Sequence, residues 1–209
     1  MTTVSWDDSI RRFLEKAASA DPTPGGGSAA ALAAALGTAM TAMAAHLSQG
    51  EKYADARLQV NAALNEMQRL SASCESLLAE DISAFDGYMH ALKLPKQNES
   101  EKAVRQEALH NATIAAIEAP LRLMEVCRAA LLSTLSIASC TNAHVISDLG
   151  IGALLLEAAA QSALLTVEIN LAALKDEGMK ALYAAKRAAL IAEIEQLKNR
   201  TLAVVRDRI

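Results

Sequence analysis

Apolar residues recur along most of the chain at intervals of three and four, the spacing that lines one face of an α-helix. Four long segments carry the pattern, at 58–92, 99–139, 147–173 and 177–206. A short amphipathic helix is expected to open at Ser5, and an Ala-rich segment at 28–47 reads as another long helix with Ser28 as its cap. Turn residues cluster between the segments at 21–27, 50–54, 94–98 and 141–146, and strand signals are absent. Pro120 falls inside the second long segment and predicts a kink there. No repeat or low-complexity linker divides the chain, so the pattern predicts one all-α domain over 1–209, an up-and-down bundle of long helices with no sheet.

Several segments lack a polar face. Residues 28–47 include no Asp, Glu, Lys or Arg and would span about 30 Å as a helix, a membrane-like length. Half of those residues are Ala, with Thr38, Thr41 and His46 among the rest, so the drive toward insertion is weak. A helix apolar on nearly every side is also what a core or subunit-interface helix looks like. That reading is taken, and no membrane partner is expected. Segment 151–165 has Glu157 as its single charge and 129–146 has none, which leaves more apolar surface than a small bundle hides. A two-fold homodimer would cover the remainder.

Composition sharpens this picture. Hydrophobic residues make up 52% and aromatics 3%, so the core must be built from Ala, Leu, Ile, Val and Met, a mixture that favours helices. A net charge of −4 offers no global attraction for nucleic acid or an anionic membrane. The cysteines Cys74, Cys127 and Cys140 are far apart, form no CxxC pair and read as buried thiols in a reducing compartment. The opening MTTVSWDDSIRRFLEK lacks the order of a signal peptide, so the cytoplasm is the expected location.

Four places could hold chemistry. Pro22–Ser28 brings two prolines and the glycines Gly25, Gly26 and Gly27 to a helix start, where free N–H groups favour an anion or a carbonyl. A flexible connector is the plainer alternative, and the Lys and hydroxyl of a phosphate loop are missing. Asp81 shares a helical stripe with Leu77, Leu78, Phe85 and Tyr88, which would desolvate its carboxylate and raise its pKa toward the range of a general base; a carboxylate turned to water or paired with a cation is the alternative. In the polar stretch 141–150, Ser147 or Asp148 could cap the next helix, leaving Asn142 and His144 uncommitted. Lys93 and Lys96 put two cations at a helix end, either solvated or arranged for an anionic tail. Glu107 and His110 form a lone ExxH; a di-iron bundle needs two, so they read as helix-surface residues and no metal is expected.

The motifs PGGGSAAALAAALGTAM, LLAEDISAF, MHALKLPK followed by SEKAVRQEAL, EAPL at 118–121, the Asn142 to Gly150 stretch and Ile169-Asn170-Leu171 stand in the order found in the formiminotransferase-cyclodeaminase C-terminal family. The chain resembles that family from about Pro24 to Asp176. The resemblance implies an all-helical homodimeric enzyme whose active site lies near the subunit contacts. Its substrate would be a tetrahydrofolate derivative, polyglutamylated in many members, with no other cofactor. It places the catalytic aspartate at Asp81, and the substrate contacts expected with it are Gly25, Gly26, Gly27, Ser28, Lys93, Lys96, Asn142, Ser147, Asp148 and Asn170. Departures from the pattern stand at Ala79, Glu51 and Glu168. The implied activity is formiminotetrahydrofolate cyclodeaminase, with methenyltetrahydrofolate cyclohydrolase as the alternative. A non-catalytic helical interaction module and a membrane-associated bundle are the competing readings from other classes.

Overall fold

The computed structural model describes residues 4–209. Six α-helices follow one another: α1 (Ile10–Ala17), α2 (Gly26–His46), α3 (Arg57–Lys93), α4 (Glu99–Ile137), α5 (Ile146–Ala173) and α6 (Glu177–Asp207). Among the described residues there is no strand. The long segments agree with the apolar periodicity to within two residues, and the differences at their starts have local causes. Ser5 heads a turn rather than a helix, because its N–H donates to Asp8 (3.0 Å); α1 starts later, capped by Ser9, which accepts from Arg12 N–H. Ser28 is not a cap either, since α2 begins at Gly26 with Gly25 at the cap position. Ser147 and Asp148 likewise lie inside the first turns of α5, after a short 3-10 turn (Ala143–Val145) that Asn142 caps. Helix α4 runs through Pro120 without a break.

Helix α2 lies between α3 and α5, α4 packs on α3 and α5, and α6 covers α4 and α5. The core is aliphatic as composition required, with Met67, Leu70, Ile117, Met124, Leu131, Leu156 and Ile194 buried at its centre. The α2–α5 crossing is close because both helices lack a side chain there. A Cβ on Gly37 would lie 2.7 Å from Leu156, and one on Gly152 would lie 3.0 Å from the Gly37 carbonyl. Next to this crossing the hydroxyls of Thr41 and Thr134 bond each other (2.9 Å), which satisfies two buried polar groups. Both α2 and α5 are long and apolar enough to cross a membrane by length and composition; 56% and 44% of their most apolar stretches are packed inside the fold.

Helices α3 and α4 form a long antiparallel hairpin. Asn98 caps α4 by accepting from Glu101 N–H (2.9 Å), while the Glu101 carboxylate accepts from Gln97 N–H (2.7 Å), so the sharp turn at 94–98 is held by a reciprocal pair. Arg105 donates to the Leu92 carbonyl across the same turn. These contacts hold the end of α3 against the start of α4.

Candidate functional site

Two features that are 53 residues apart in sequence meet in space. The Ser28 hydroxyl donates to Asp81 Oδ2 (2.8 Å), so the carboxylate of α3 sits at the first turn of α2, where backbone N–H groups have no acceptor within their own helix. Gly27 makes the approach possible: a Cβ there would fall 2.1 Å from Asp81 Oδ1 and 2.5 Å from Cγ. Asp81 is half-buried, and burial pushes its pKa above the ordinary carboxylate value, with the Ser28 hydroxyl and the Ser28 N–H pulling partly back. Ionised, it is a base of raised proton affinity; protonated, it is an acid held in place.

Helix α3 continues for twelve residues past Asp81 to Lys93, beyond the level where α2 has begun. Tyr88 stands two turns from Asp81 on the same stripe, about 10 Å along the axis. It lines an open cavity of about 790 Å³ between the end of α3, the start of α4 and the end of α5. Lys96, Lys102, Arg105, His110 and Lys175 also line it, with Glu107 as its one acid. Lys93 is exposed at the last residue of α3 and is not part of the lining. Glu107 and His110, read from sequence as ordinary surface residues, therefore belong to the cavity wall. Nothing local in the chain pointed to Lys175, because it follows α5 and meets the start of α4 only in the folded bundle. Among the described residues no three His, Cys, Asp or Glu side chains cluster as metal ligands would.

The remaining expected contacts divide between the two ends of the bundle. Asn170, on the inner side of α5, donates from Nδ2 to the Ala116 and Thr166 carbonyls (both 2.9 Å), leaving only its carbonyl oxygen for a ligand. Ser28 is 0% exposed, so its side chain reaches Asp81 and not the solvent side. Asn142 lies at the far end of α2, donating to the Leu47 carbonyl (3.1 Å) and accepting from His144 N–H (3.1 Å). Ser147 and Asp148 follow it there, about 30 Å from Asp81 along α2. Within one chain, Gly25, Gly26, Gly27, Ser28 and Asp81 form one cluster, and Asn142, Ser147 and Asp148 form another. Glu168 is paired with Arg187 of α6. Glu118, in the EAPL stretch, accepts from Tyr183 of α6 (2.9 Å); burial and that carboxylate push the phenol up to about 12.

The sequence profile of the formiminotransferase-cyclodeaminase family matches residues 9–189. The methenyltetrahydrofolate cyclohydrolase of Methylorubrum extorquens is 33% identical over 204 residues, covering 97% of this chain and 98% of its own length. The formimidoyltransferase-cyclodeaminase of Sus scrofa is 30% identical across 96% of this chain, which spans 36% of that longer protein. A crystal structure of formiminotetrahydrofolate cyclodeaminase from Thermotoga maritima shares the helical fold, with a TM-score of 0.87 at 24% identity over 96% of this chain and 97% of that one. Profile, relatives and fold agree: the chain belongs to the formiminotransferase-cyclodeaminase family.

Proposed function

We propose that this folate one-carbon enzyme hydrolyses the methenyl bridge of 5,10-methenyltetrahydrofolate. The observation that carries the choice of reaction is the similarity to a methenyltetrahydrofolate cyclohydrolase across nearly the whole of both chains. The methenyl carbon lies between two nitrogens and carries their shared positive charge, so it is open to attack by water. Asp81 takes a proton from that water as the C–O bond forms. The resulting tetrahedral carbon then releases N5, to which Asp81 returns the proton, and a formyl group remains on N10. One proton leaves as the hydroxyl becomes the formyl oxygen, and the step balances without a redox cofactor or metal. First-turn N–H groups at Gly26 and Gly27 stand ready for the oxygen that gains charge. Raised proton affinity makes this carboxylate a better proton acceptor than an ordinary one, which suits it to both transfers.

The same site supports formiminotetrahydrofolate cyclodeaminase, the second reading, favoured by the 30% identity to the porcine protein. There N10 attacks the formimino carbon and ammonia departs. Parallel absorbance assays, following loss of methenyltetrahydrofolate in one and its formation from formiminotetrahydrofolate in the other, separate them by the larger kcat/KM. Turnover in neither assay would overturn both.

Three further elements belong to the proposal. The cations at the cavity, Lys96 with Lys102, Arg105 and Lys175, and Lys93 beside them, are suited to the carboxylates of a glutamate tail. The unpaired thiols suit a reducing, cytoplasmic setting. The assembly is a two-fold homodimer through an uncharged face: α2 turns Ala29, Ala33, Leu36, Met40 and Met43 outward, and α5 beside it exposes Ile151, Leu154, Leu165 (68%) and Ile169 (73%). Antiparallel pairing of α2 across the axis would bring the 142–150 segment of one subunit to Asp81 of the other, joining the two clusters. Mixing inactive Asp81→Asn and Asp148→Asn subunits should then restore about a quarter of native activity. A monomer in sedimentation, or no recovery on mixing, removes the shared site.

A further inference from the structure

We infer that Ser28 is a positioning residue which holds Asp81 in its working orientation and sets its proton affinity, without touching substrate. This inference rests on the role of Asp81 proposed above. The Ser28 side chain is 0% exposed and its hydroxyl donates to Asp81 Oδ2 at 2.8 Å, so no face of it is left for a ligand. The adjacent Gly27, which carries no side chain, leaves the space that lets the carboxylate reach the Ser28 hydroxyl. The Ser28 hydroxyl donates to Asp81, and the hydroxyl and the Ser28 N–H both favour the ionised carboxylate against the effect of burial.

Among the described residues, burial and the two groups of Ser28 are the causes of the Asp81 shift, and no charged side chain is among them. Helix α2 carries no Asp, Glu, Lys or Arg, and the preceding linker has only Asp21, exposed and bonded to Lys16. From α4, Arg122 is paired with Glu80 of α3, Glu118 is bonded to Tyr183, and Glu125 is paired with Lys186. The 3-10 turn Glu51–Ala56 packs at the opposite end of α3. Burial and Ser28 account for the shift of Asp81.

The test is a carbon-13 NMR titration of the Asp81 carboxyl in the native and Ser28→Ala proteins, alongside the pH profile of kcat/KM. In Ser28→Ala the titration moves to higher pH and the acid limb of kcat/KM moves with it. The rate falls roughly tenfold on the acid side, one charge-assisted hydrogen bond's worth. KM changes little, and Ser28→Thr, which keeps the hydroxyl, restores the native titration. If the alanine variant does not fold, Ser28→Cys keeps the volume with a weaker donor and is read in the same way. Superimposable Asp81 titrations would overturn the inference. A shifted titration with an unshifted rate profile upholds the inference about Ser28 and removes Asp81 from the reaction, so the two failures are distinguishable.

Discussion

Replacing Gly27 by alanine tests the site through a single methyl group. The new Cβ would lie 2.1 Å from Asp81 Oδ1, whereas ordinary contact begins at 3.4 Å. Gly27 is buried in the first turn of α2 and its backbone is held there, so the carboxylate must give way, by about 1.3 Å. A displacement of about 1 Å in a reacting group costs on the order of a hundredfold in rate, about 2.7 kcal/mol of barrier. Stability changes less. Alanine in place of glycine gains up to about 1 kcal/mol of helix preference. The weakened Ser28–Asp81 bond loses about 1.5–3 kcal/mol, for a net fall of about 2–6 °C in Tm. The assay is loss of methenyltetrahydrofolate absorbance at saturating substrate, with circular dichroism and Tm on the same preparation. Gly26→Ala is the pointed comparison, because its Cβ meets nothing within 4 Å; the loss there should be far smaller. Gly50→Ala, equally open and at the opposite end of α2 from Asp81, reports the effect of the exchange itself. A folded Gly27→Ala protein with turnover near native would refute the reasoning, because it would show that the position of Asp81 against α2 does not matter for the reaction.

Asp81→Asn should lower turnover by about 10²–10⁴-fold, the range for a positioned acid–base group, and should not lower Tm at neutral pH. The sign follows from linkage: with its native pKa raised, Asp81 adds to stability below the unfolded carboxyl range and loses that contribution as pH climbs through the native value, so any Tm advantage of Asn shrinks on acidification. Asn170→Asp turns a carboxylate oxygen toward the Ala116 and Thr166 carbonyls and should cost about 2 kcal/mol, a Tm drop of about 4–8 °C; an unchanged Tm would show that the Nδ2 bonds contribute nothing. Lys96→Gln combined with Lys175→Gln should weaken polyglutamate folates more than the monoglutamate, most at low salt, and equal effects on both would remove the tail assignment. Burial pushes the Cys74 thiol up to about 12 and Cys127 higher still, so mass spectrometry after iodoacetamide at pH 8 should find Cys140 modified first in the folded protein.

The all-helical architecture was legible in the sequence because it depends on local patterns. Apolar spacing located α3 through α6 to within two residues, and Ala and Leu in place of aromatics fixed the kind of core. Asp81 could be singled out for the same reason: its place on an apolar stripe is a property of one helix, and its burial and raised pKa follow from that stripe. Cap positions were less legible, since Ser5, Ser28 and Ser147 are all good caps by type, and the choice among neighbouring residues was made by bonds such as those of Asp8 and Asn142.

What the tertiary structure alone decided is which distant residues share a place. The motif PGGGS and the motif LLAEDISAF each suggested a site by itself; only packing of α2 against α3 showed that the Ser28 hydroxyl bonds Asp81 and that the carboxylate fills the space a Gly27 side chain would need. Other contacts put Asn142, Ser147 and Asp148 at the far end of α2 and gathered Lys96, Arg105 and Lys175 around one cavity. The physical reason is that helix formation is written in residues three and four apart, whereas side-chain partnership depends on how whole helices cross. The α2–α5 crossing at Gly37 and Gly152 joins residues far apart in the chain, whose mutual fit no local pattern records.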